Sequence, residues 1–195
     1  MPNGRCQPPR KNVVASSEST NFDHSPLPGE WKLTEGADYF HVCSNETVHG
    51  HRLPEWPSHP NLIVDSSSEM MSRPHPVSRT ALVYAGAQKN LGPSGTVLVI
   101  VRKDLYDRIP KSVPKIFNFK VLAEAKSCLN TPPTFGVYML LETFRWMEKQ
   151  GGLAAIEKRM MEIARDRNLW VVSDEAYEDV VFEGEHVSPA SLPDA

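Results

Sequence analysis

The sequence predicts an α/β fold in which a mostly parallel sheet is flanked by helices. In the first half, short apolar runs do not alternate with polar residues, which is typical of strands covered on both faces. In the second half, two longer segments repeat apolar residues at helical spacing. Polar residues directly follow several of the apolar runs, and this is where open α/β sheets bind their ligands.

The predicted strands are short and are separated by proline-rich loops. β-Branched and aromatic residues are frequent in them, as the pleated surface of a sheet favours. The five runs predicted as strands are residues 12–16 (NVVAS), 39–43 (YFHVC), 61–65 (NLIVD), 81–85 (ALVYA) and 95–101 (GTVLVIV).

Two helices and a further strand follow these runs. Residues 134–150 have apolar side chains at roughly helical spacing, and the Gly-Gly pair at 151–152 ends this helix. Residues 153–167 form a second predicted helix with one apolar side. The run 169–173 (LWVVS) is predicted to be a strand that ends at Asp174.

Composition excludes several classes of protein. The 195 residues are 40% hydrophobic and 23% charged with a net charge of −3, so we expect a globular domain without a nucleic-acid surface. No apolar run reaches the roughly 18 residues that span a bilayer, so we expect no membrane segment. Cys6, Cys43 and Cys128 lie far apart and predict a reducing, cytoplasmic location. Residues 1–11 are polar and proline-rich, and we expect them to be disordered.

Two charged residues stand where predicted strands end. Asp65 closes one run, and Lys89 follows another after the small residues at 85–87. Close packing there would partly desolvate the lysine amine and make it a nucleophile toward carbonyl carbon. A carboxylate nearby could pair with a cationic ring nitrogen, and together the two groups suit pyridoxal phosphate. The alternatives are a solvated loop lysine and an aspartate that caps a helix or forms a turn.

Other polar residues give weaker indications. His41, His49 and His51 have no spacing that defines a metal site, so we predict no metal and expect surface histidines. Arginine can bind an anionic substrate through its planar guanidinium group. Three arginines are candidates without one being favoured: Arg73, Arg79 and Arg102.

Several ordered segments resemble the phosphoserine aminotransferase family, in the class V group of pyridoxal-phosphate enzymes. The segment 84–95 (YAGAQKNLGPSG) is similar to the family's lysine segment. The resemblance covers about residues 12–159, and five further stretches carry it in the same order: 12–22 (NVVASSESTNF), 44–50 (SNETVHG), 65–74 (DSSSEMMSRP), 130–135 (NTPPTF) and 146–158 around the Gly-Gly pair.

This resemblance implies a fold, a cofactor and a set of roles. The fold would be part of the large domain of a fold type I PLP-dependent transferase, occupying residues 12–160. Lys89 would form the Schiff base with pyridoxal phosphate, and Asp65 would hold the pyridine nitrogen. The activity would exchange an amino group between glutamate and 3-phosphohydroxypyruvate, giving phosphoserine and 2-oxoglutarate, in a homodimer. The other implied cofactor contacts are Thr47 and Gln88 and, from the neighbouring subunit, Asn130 and Thr131.

The final part of the chain departs from this family. Residues 161–193 resemble the cofactor segment of aspartate-type, class I and II aminotransferases, in which Asp174 would pair with the pyridine nitrogen and Tyr177 would touch the ring oxygen. We divide the chain into residues 1–11, 12–160 and 161–195 accordingly. A complete member of the first family is about twice this long. Two alternatives therefore remain open: an aspartate-type aminotransferase, or a catalytically inactive hybrid or fragment.

Overall fold

A computed structural model of the chain describes residues 11–169, and its centre is a four-stranded sheet. The strands in chain order are β1 (Phe40–Cys43), β2 (Asn45–Glu46), β3 (His51–Arg52), β4 (Leu62–Asp65), β5 (Leu82–Gly86) and β6 (Val97–Val101). The sheet order is β1-β4-β5-β6, in which β1, β4 and β5 are parallel and β6 is antiparallel to β5. Strands β2 and β3 form a separate antiparallel hairpin. The α/β class and the mostly parallel sheet are therefore confirmed.

Within residues 11–169, three α-helices follow the sheet: α1 (Phe119–Glu124), α2 (Thr134–Lys149) and α3 (Leu153–Asp166). Helix α1 begins at Asn118, whose Oδ1 accepts hydrogen bonds from the backbone of Lys120 and Val121 at 3.0 and 3.3 Å. Helices α2 and α3 are separated by Gly151 and Gly152, both with positive φ. Short 3-10 helices occupy Glu18–Thr20, Pro28–Glu30, Val77–Arg79, Lys103–Arg108 and Lys115–Phe117.

The sequence located β1, β4, β5, β6, α2 and α3 to within two residues, but it did not predict β2, β3 or α1. One strand predicted within residues 11–169 is also absent. Residues 12–16 were expected to be a strand, and the structure shows an irregular segment instead. Val14 accepts one backbone hydrogen bond from Lys32 and packs against the core, while Val13 is 80% exposed. An apolar run alone therefore does not make a strand, because a strand also needs a neighbour that pairs along its length. The predicted strand 169–173 lies, after its first residue, outside the described residues.

One face of the sheet forms the core of the domain. Leu62 and Val64 of β4 and Val83 and Ala85 of β5 are completely buried on it. Because side chains alternate along a strand, these residues point to the same side. They pack with Phe40, Trp56, Met70, Ala87 and Leu91, and with the half-buried Leu140 and Phe144 of helix α2.

The opposite face is open within residues 11–169, which corrects the expectation of burial on both sides. Leu82 is buried there, but Val97 and Val99 of β6 are 60% and 38% exposed. The strands are apolar in composition, and composition does not reveal which face another element covers. The remaining side chains on this face are His41, Cys43, Ile63, Asp65, Tyr84 and Val101, all exposed or half-buried.

Helix α2 approaches the start of β6 closely at its first turn. Gly136 is buried, and a Cβ at this position would lie 2.6 Å from Oγ1 of Thr96, directly before β6. Only glycine allows this approach without a shift. The contact fixes the start of α2 beside the end of the sheet at which β5 stops and β6 begins.

Candidate functional site

Four of the sequence-predicted site residues lie at one edge of the sheet. Asp65 is the last residue of β4, and Gln88 and Lys89 follow the end of β5 by two and three residues. Thr47 lies in the turn of the β2–β3 hairpin, just beyond the end of β1. Because β1, β4 and β5 are parallel, their carboxyl ends meet at the same edge. The structure therefore places a carboxylate, an amine, an amide and a hydroxyl along one edge.

A hydrogen-bond chain connects the ends of β4 and β5. Oδ1 of Asp65 accepts hydrogen bonds from the backbone N–H and the hydroxyl of Ser67, at 3.0 and 2.7 Å. Oγ of Ser67 in turn accepts the backbone N–H of Gly86, at 3.0 Å. Hydrogen bonds to a carboxylate are stronger than those between neutral groups. Ser67 therefore holds Asp65 in a fixed orientation relative to the strand that leads to Lys89.

Further polar contacts connect the ends of β1 and β4. The buried hydroxyl of Ser44 donates to Oγ of Ser66 at 3.2 Å. The Asn45 side chain donates to Oγ of Ser68 at 2.9 Å, and Ser68 donates back to the Asn45 carbonyl at 2.7 Å. The sequence analysis assigned no role to these serines. Three consecutive serines directly after a strand were the available signal, because short hydroxyl side chains pair readily with loop backbone.

Lys89 is exposed, which corrects the expectation of a partly desolvated amine. It lies in a turn beyond β5, and none of residues 11–169 forms an ion pair or a side-chain hydrogen bond with it. Gln88 is also exposed, and its side chain lies against Gly86, where an added Cβ would collide with the Gln88 amide. The Lys89 amine is therefore accessible to a carbonyl compound.

Tyr84 and Cys43 flank Asp65 on the open face. In the sheet register, Asp65 is aligned with Cys43 of β1 and with Tyr84 of β5. Burial, together with the charge of Asp65 and a hydrogen bond to it, raises the pKa of Tyr84 to about 12. Burial also raises the pKa of the Cys43 thiol, with a smaller contribution from Asp65. Both neighbours of Asp65 are therefore protonated and uncharged at neutral pH.

The three candidate arginines serve the structure rather than an open anion site. Arg73 forms an ion pair at 2.5 Å with Glu69, which is 2% exposed. Arg79 donates to the carbonyl of Trp56 at 2.9 Å. Arg102 pairs with Asp104 at 2.6 Å and also donates to a carbonyl in the loop before β4. The expectation that one of them binds anionic substrate therefore has no support in their contacts.

Asn130 and Thr131 are exposed and lie in the loop between α1 and α2. Within the described part of the chain, no side-chain hydrogen bond joins either of them to another candidate residue. Helix α2, which starts three residues later, packs beside the edge that carries Lys89 through the contact of Gly136 with Thr96. Asp174 and Tyr177 lie outside the described residues.

Two kinds of feature are absent from residues 11–169. No cluster of three or more histidine, cysteine, aspartate or glutamate side chains in this range could hold a metal ion. No helix in this range is both long and apolar enough to cross a membrane.

Comparison with known families identifies the class of protein. The class-V aminotransferase family matches residues 12–168, and the chain belongs to this family. The chain is 47% identical over 154 residues to a phosphoserine aminotransferase of Albidiferax ferrireducens. That alignment covers 76% of this chain but 42% of the relative. The chain thus spans less than half the length of this curated relative.

Solved structures show the same relationship. A phosphoserine aminotransferase from Bacillus circulans subsp. alkalophilus superimposes with a TM-score of 0.72 at 40% identity, covering 80% of this chain and 44% of that one. A phosphoserine aminotransferase from Trichomonas vaginalis, solved with bound pyridoxal phosphate, gives a TM-score of 0.69 at 36% identity, covering 80% and 46%. The predicted fold, part of the large domain of such an enzyme, is therefore confirmed.

Proposed function

We propose that this chain binds pyridoxal phosphate through Lys89 and Asp65 and takes part in phosphoserine transamination. The observation that carries the proposal is the placement of both residues at the ends of adjacent parallel strands, joined by the Ser67 bridge. Membership of the class-V aminotransferase family and the similarity to phosphoserine aminotransferases support this cofactor and this reaction. The substrates would be glutamate and 3-phosphohydroxypyruvate.

The residues at the sheet edge fit the chemical groups of this cofactor. An accessible primary amine at Lys89 suits its aldehyde, and the oriented carboxylate of Asp65 suits a protonated pyridine nitrogen. When bound, the cofactor supplies an electron-withdrawing ring that stabilises negative charge on the substrate α-carbon.

The protein's own contribution consists of binding and proton transfer. Asp65 keeps a proton on the pyridine nitrogen, because its negative charge favours the cationic ring. Nζ of Lys89 would hold the cofactor covalently and, once freed by substrate, would move a proton between the substrate α-carbon and the cofactor. Because Lys89 is exposed, its side chain can move between the position that binds the cofactor and the position that transfers the proton.

The remaining predicted residues would complete the binding site. Thr47 and Gln88 would donate hydrogen bonds to the cofactor's ring oxygen and phosphate end from the same sheet edge. Asn130 and Thr131 would reach the cofactor phosphate of a second subunit, so we also propose a homodimer. Both are exposed in a single chain, which leaves them available for that contact. The cytoplasmic location stays a prediction.

The test is absorbance spectroscopy of the purified chain mixed with pyridoxal phosphate, before and after borohydride reduction. We expect a visible band that reduction traps, with the label mapped to Lys89 and absent from Lys89→Ala. Lys103→Ala is the matched control, because Lys103 is another exposed lysine, beyond the far end of β6. Addition of glutamate should then remove the band.

Three results would contradict parts of this proposal. A folded chain that shows no band does not use this cofactor. A label spread equally over Lys89 and Lys103 indicates nonspecific modification and rejects Lys89 as the binding residue. A band at Lys89 that glutamate leaves unchanged indicates a protein that holds the cofactor without transamination, which is the inactive fragment considered from the sequence.

A further inference from the structure

A second line of contacts reaches Asp65 from the open face of the sheet. Nε2 of His41 lies 3.1 Å from the hydroxyl oxygen of Tyr84, and the two rings are stacked with centroids 6.1 Å apart and planes at 22°. His41 belongs to β1 and Tyr84 to β5, so the contact crosses above β4, where Ile63 is the residue aligned with His41. The sequence analysis had assigned no role to either residue.

The sheet register places Tyr84 directly beside Asp65. The two residues are aligned on the adjacent parallel strands β4 and β5, so their side chains leave the same face side by side. Burial and, after it, the charge of Asp65 and a side-chain hydrogen bond with it raise the pKa of Tyr84 to about 12, which indicates that the carboxylate lies close to the phenol. The residue aligned with Tyr84 on its other side is Val99, which offers no polar group. Asp65 and His41 are therefore polar neighbours of Tyr84 on this face, and the thiol of Cys43 lies on the far side of Asp65.

We infer that Tyr84 and His41 form a positioning pair for Asp65, in which Tyr84 donates its proton to the carboxylate and His41 donates from Nε2 to the Tyr84 oxygen. A carboxylate can only accept, and a phenol carries a single proton. If Tyr84 donates its proton to Asp65, the Tyr84 oxygen can only accept a hydrogen bond from His41. Nε2 of His41 must then carry the hydrogen that it donates. The hydrogen-bond order therefore fixes the tautomer of His41.

Asp65 is then held from two directions. Ser67 donates two hydrogen bonds to Oδ1 from the loop after β4, and Tyr84 donates from β5. A carboxylate held in this way keeps one orientation, which is what pairing with a cationic ring nitrogen needs. The expected effect on cofactor binding rests on the proposed function. The direction of the hydrogen bonds, from His41 to Tyr84 and from Tyr84 to Asp65, does not.

The first experiment is nuclear magnetic resonance of the full chain without cofactor, labelled with nitrogen-15 at histidine. The His41 signals are assigned by their loss in His41→Gln. We expect the neutral His41 ring to be protonated at Nε2, and we expect Tyr84→Phe to shift its ring nitrogen signals. Tyr138→Phe is the control, because Tyr138 is exposed on helix α2 and should leave His41 unchanged. Protonation at Nδ1, or signals unaffected by Tyr84→Phe, would overturn the inference.

The second experiment measures the dissociation constant for pyridoxal phosphate by absorbance titration. We expect Tyr84→Phe to weaken binding about tenfold, because one hydrogen bond to a charged group is lost. His41→Gln should weaken binding less, and Tyr138→Phe should not change it. Unchanged affinity in a folded Tyr84→Phe variant would overturn the positioning role. Failure of the unsubstituted chain to bind the cofactor would instead reject the proposed function, and the His41 tautomer would still decide the hydrogen-bond order.

Discussion

The two faces of the four-stranded sheet differ in burial and in chemistry, although the same strands form both. The covered face carries only apolar side chains, among them Leu62 and Val64, which are completely buried. The open face carries His41, Cys43 and Tyr84, and Asp65 at its end. Because side chains alternate along a strand, consecutive residues of one strand face either the covered core or the open face. Substitutions one residue apart should have different effects.

The largest effect is expected on the covered face. Leu62→Ala should lower the free energy of unfolding by about 3 kcal/mol, because a fully buried leucine leaves a cavity in the core. Ile63→Ala is the matched variant on the other face of the same strand, where the side chain is half-buried, and should cost about 1 kcal/mol. Urea unfolding measures both. Equal losses would contradict the distinction between the faces.

The contact between helix α2 and the sheet should give the next largest effect. Gly136→Ala should cost about 1 kcal/mol, since the clash with Thr96 exceeds the gain in helix preference. Thr96→Ala removes the clashing hydroxyl, which is buried without a hydrogen-bond partner in residues 11–169. The double variant should therefore be more stable than Gly136→Ala alone. Additive losses in thermal or urea unfolding would show that the close approach does not exist.

The Ser67 bridge should affect binding more visibly than folding. Ser67→Ala should lower stability by about 1 kcal/mol and weaken pyridoxal phosphate binding about tenfold, because Asp65 loses one of its donors. Ser78→Ala is a suitable control, since Ser78 is an exposed serine in the same connection between β4 and β5. Calorimetry and absorbance titration provide the two readouts. Normal cofactor affinity in Ser67→Ala would argue against the bridge as a determinant of the site.

The smallest effect concerns alkaline pH. The pKa of Tyr84 is raised from 10.0 to about 12 in the folded chain. The neutral phenol therefore stabilises the folded chain relative to the unfolded chain. This contribution is fully present below pH 10 and is lost as the pH rises through about 12. The unsubstituted chain should therefore lose more stability over this interval than Tyr84→Phe does. Parallel stability curves for the two proteins would contradict the raised pKa.

Patterns within single segments predicted much of this molecule. Apolar runs gave β1, β4, β5 and β6, and helical spacing gave α2 and α3. The position of Asp65 and Lys89 after two runs indicated that both lie at the same edge of the sheet. These features depend on residues close together in the sequence, where periodicity is informative.

Features that depend on several segments were not predicted. The partnership of His41 with Tyr84 depends on strand order, because β4 lies between their strands. The open face was also missed, since Val97 and Val99 have the same composition whether or not another element covers them. Lys89 is exposed because it lies in a turn beyond β5. The small residues before it, on which the prediction of a desolvated amine rested, do not reveal this turn.

The hydrogen bond from the Gly86 backbone N–H to Oγ of Ser67 makes the Gly86 amide proton a reporter of local motion at this edge of the sheet. The Gly86 N–H lies at the end of a strand, yet its acceptor is a side-chain hydroxyl rather than the carbonyl of a neighbouring strand. Its exchange with deuterated solvent therefore depends on the motion of one serine instead of on separation of the sheet. A ligand that immobilises Asp65 would slow this single exchange rate while leaving those of the central strands unchanged.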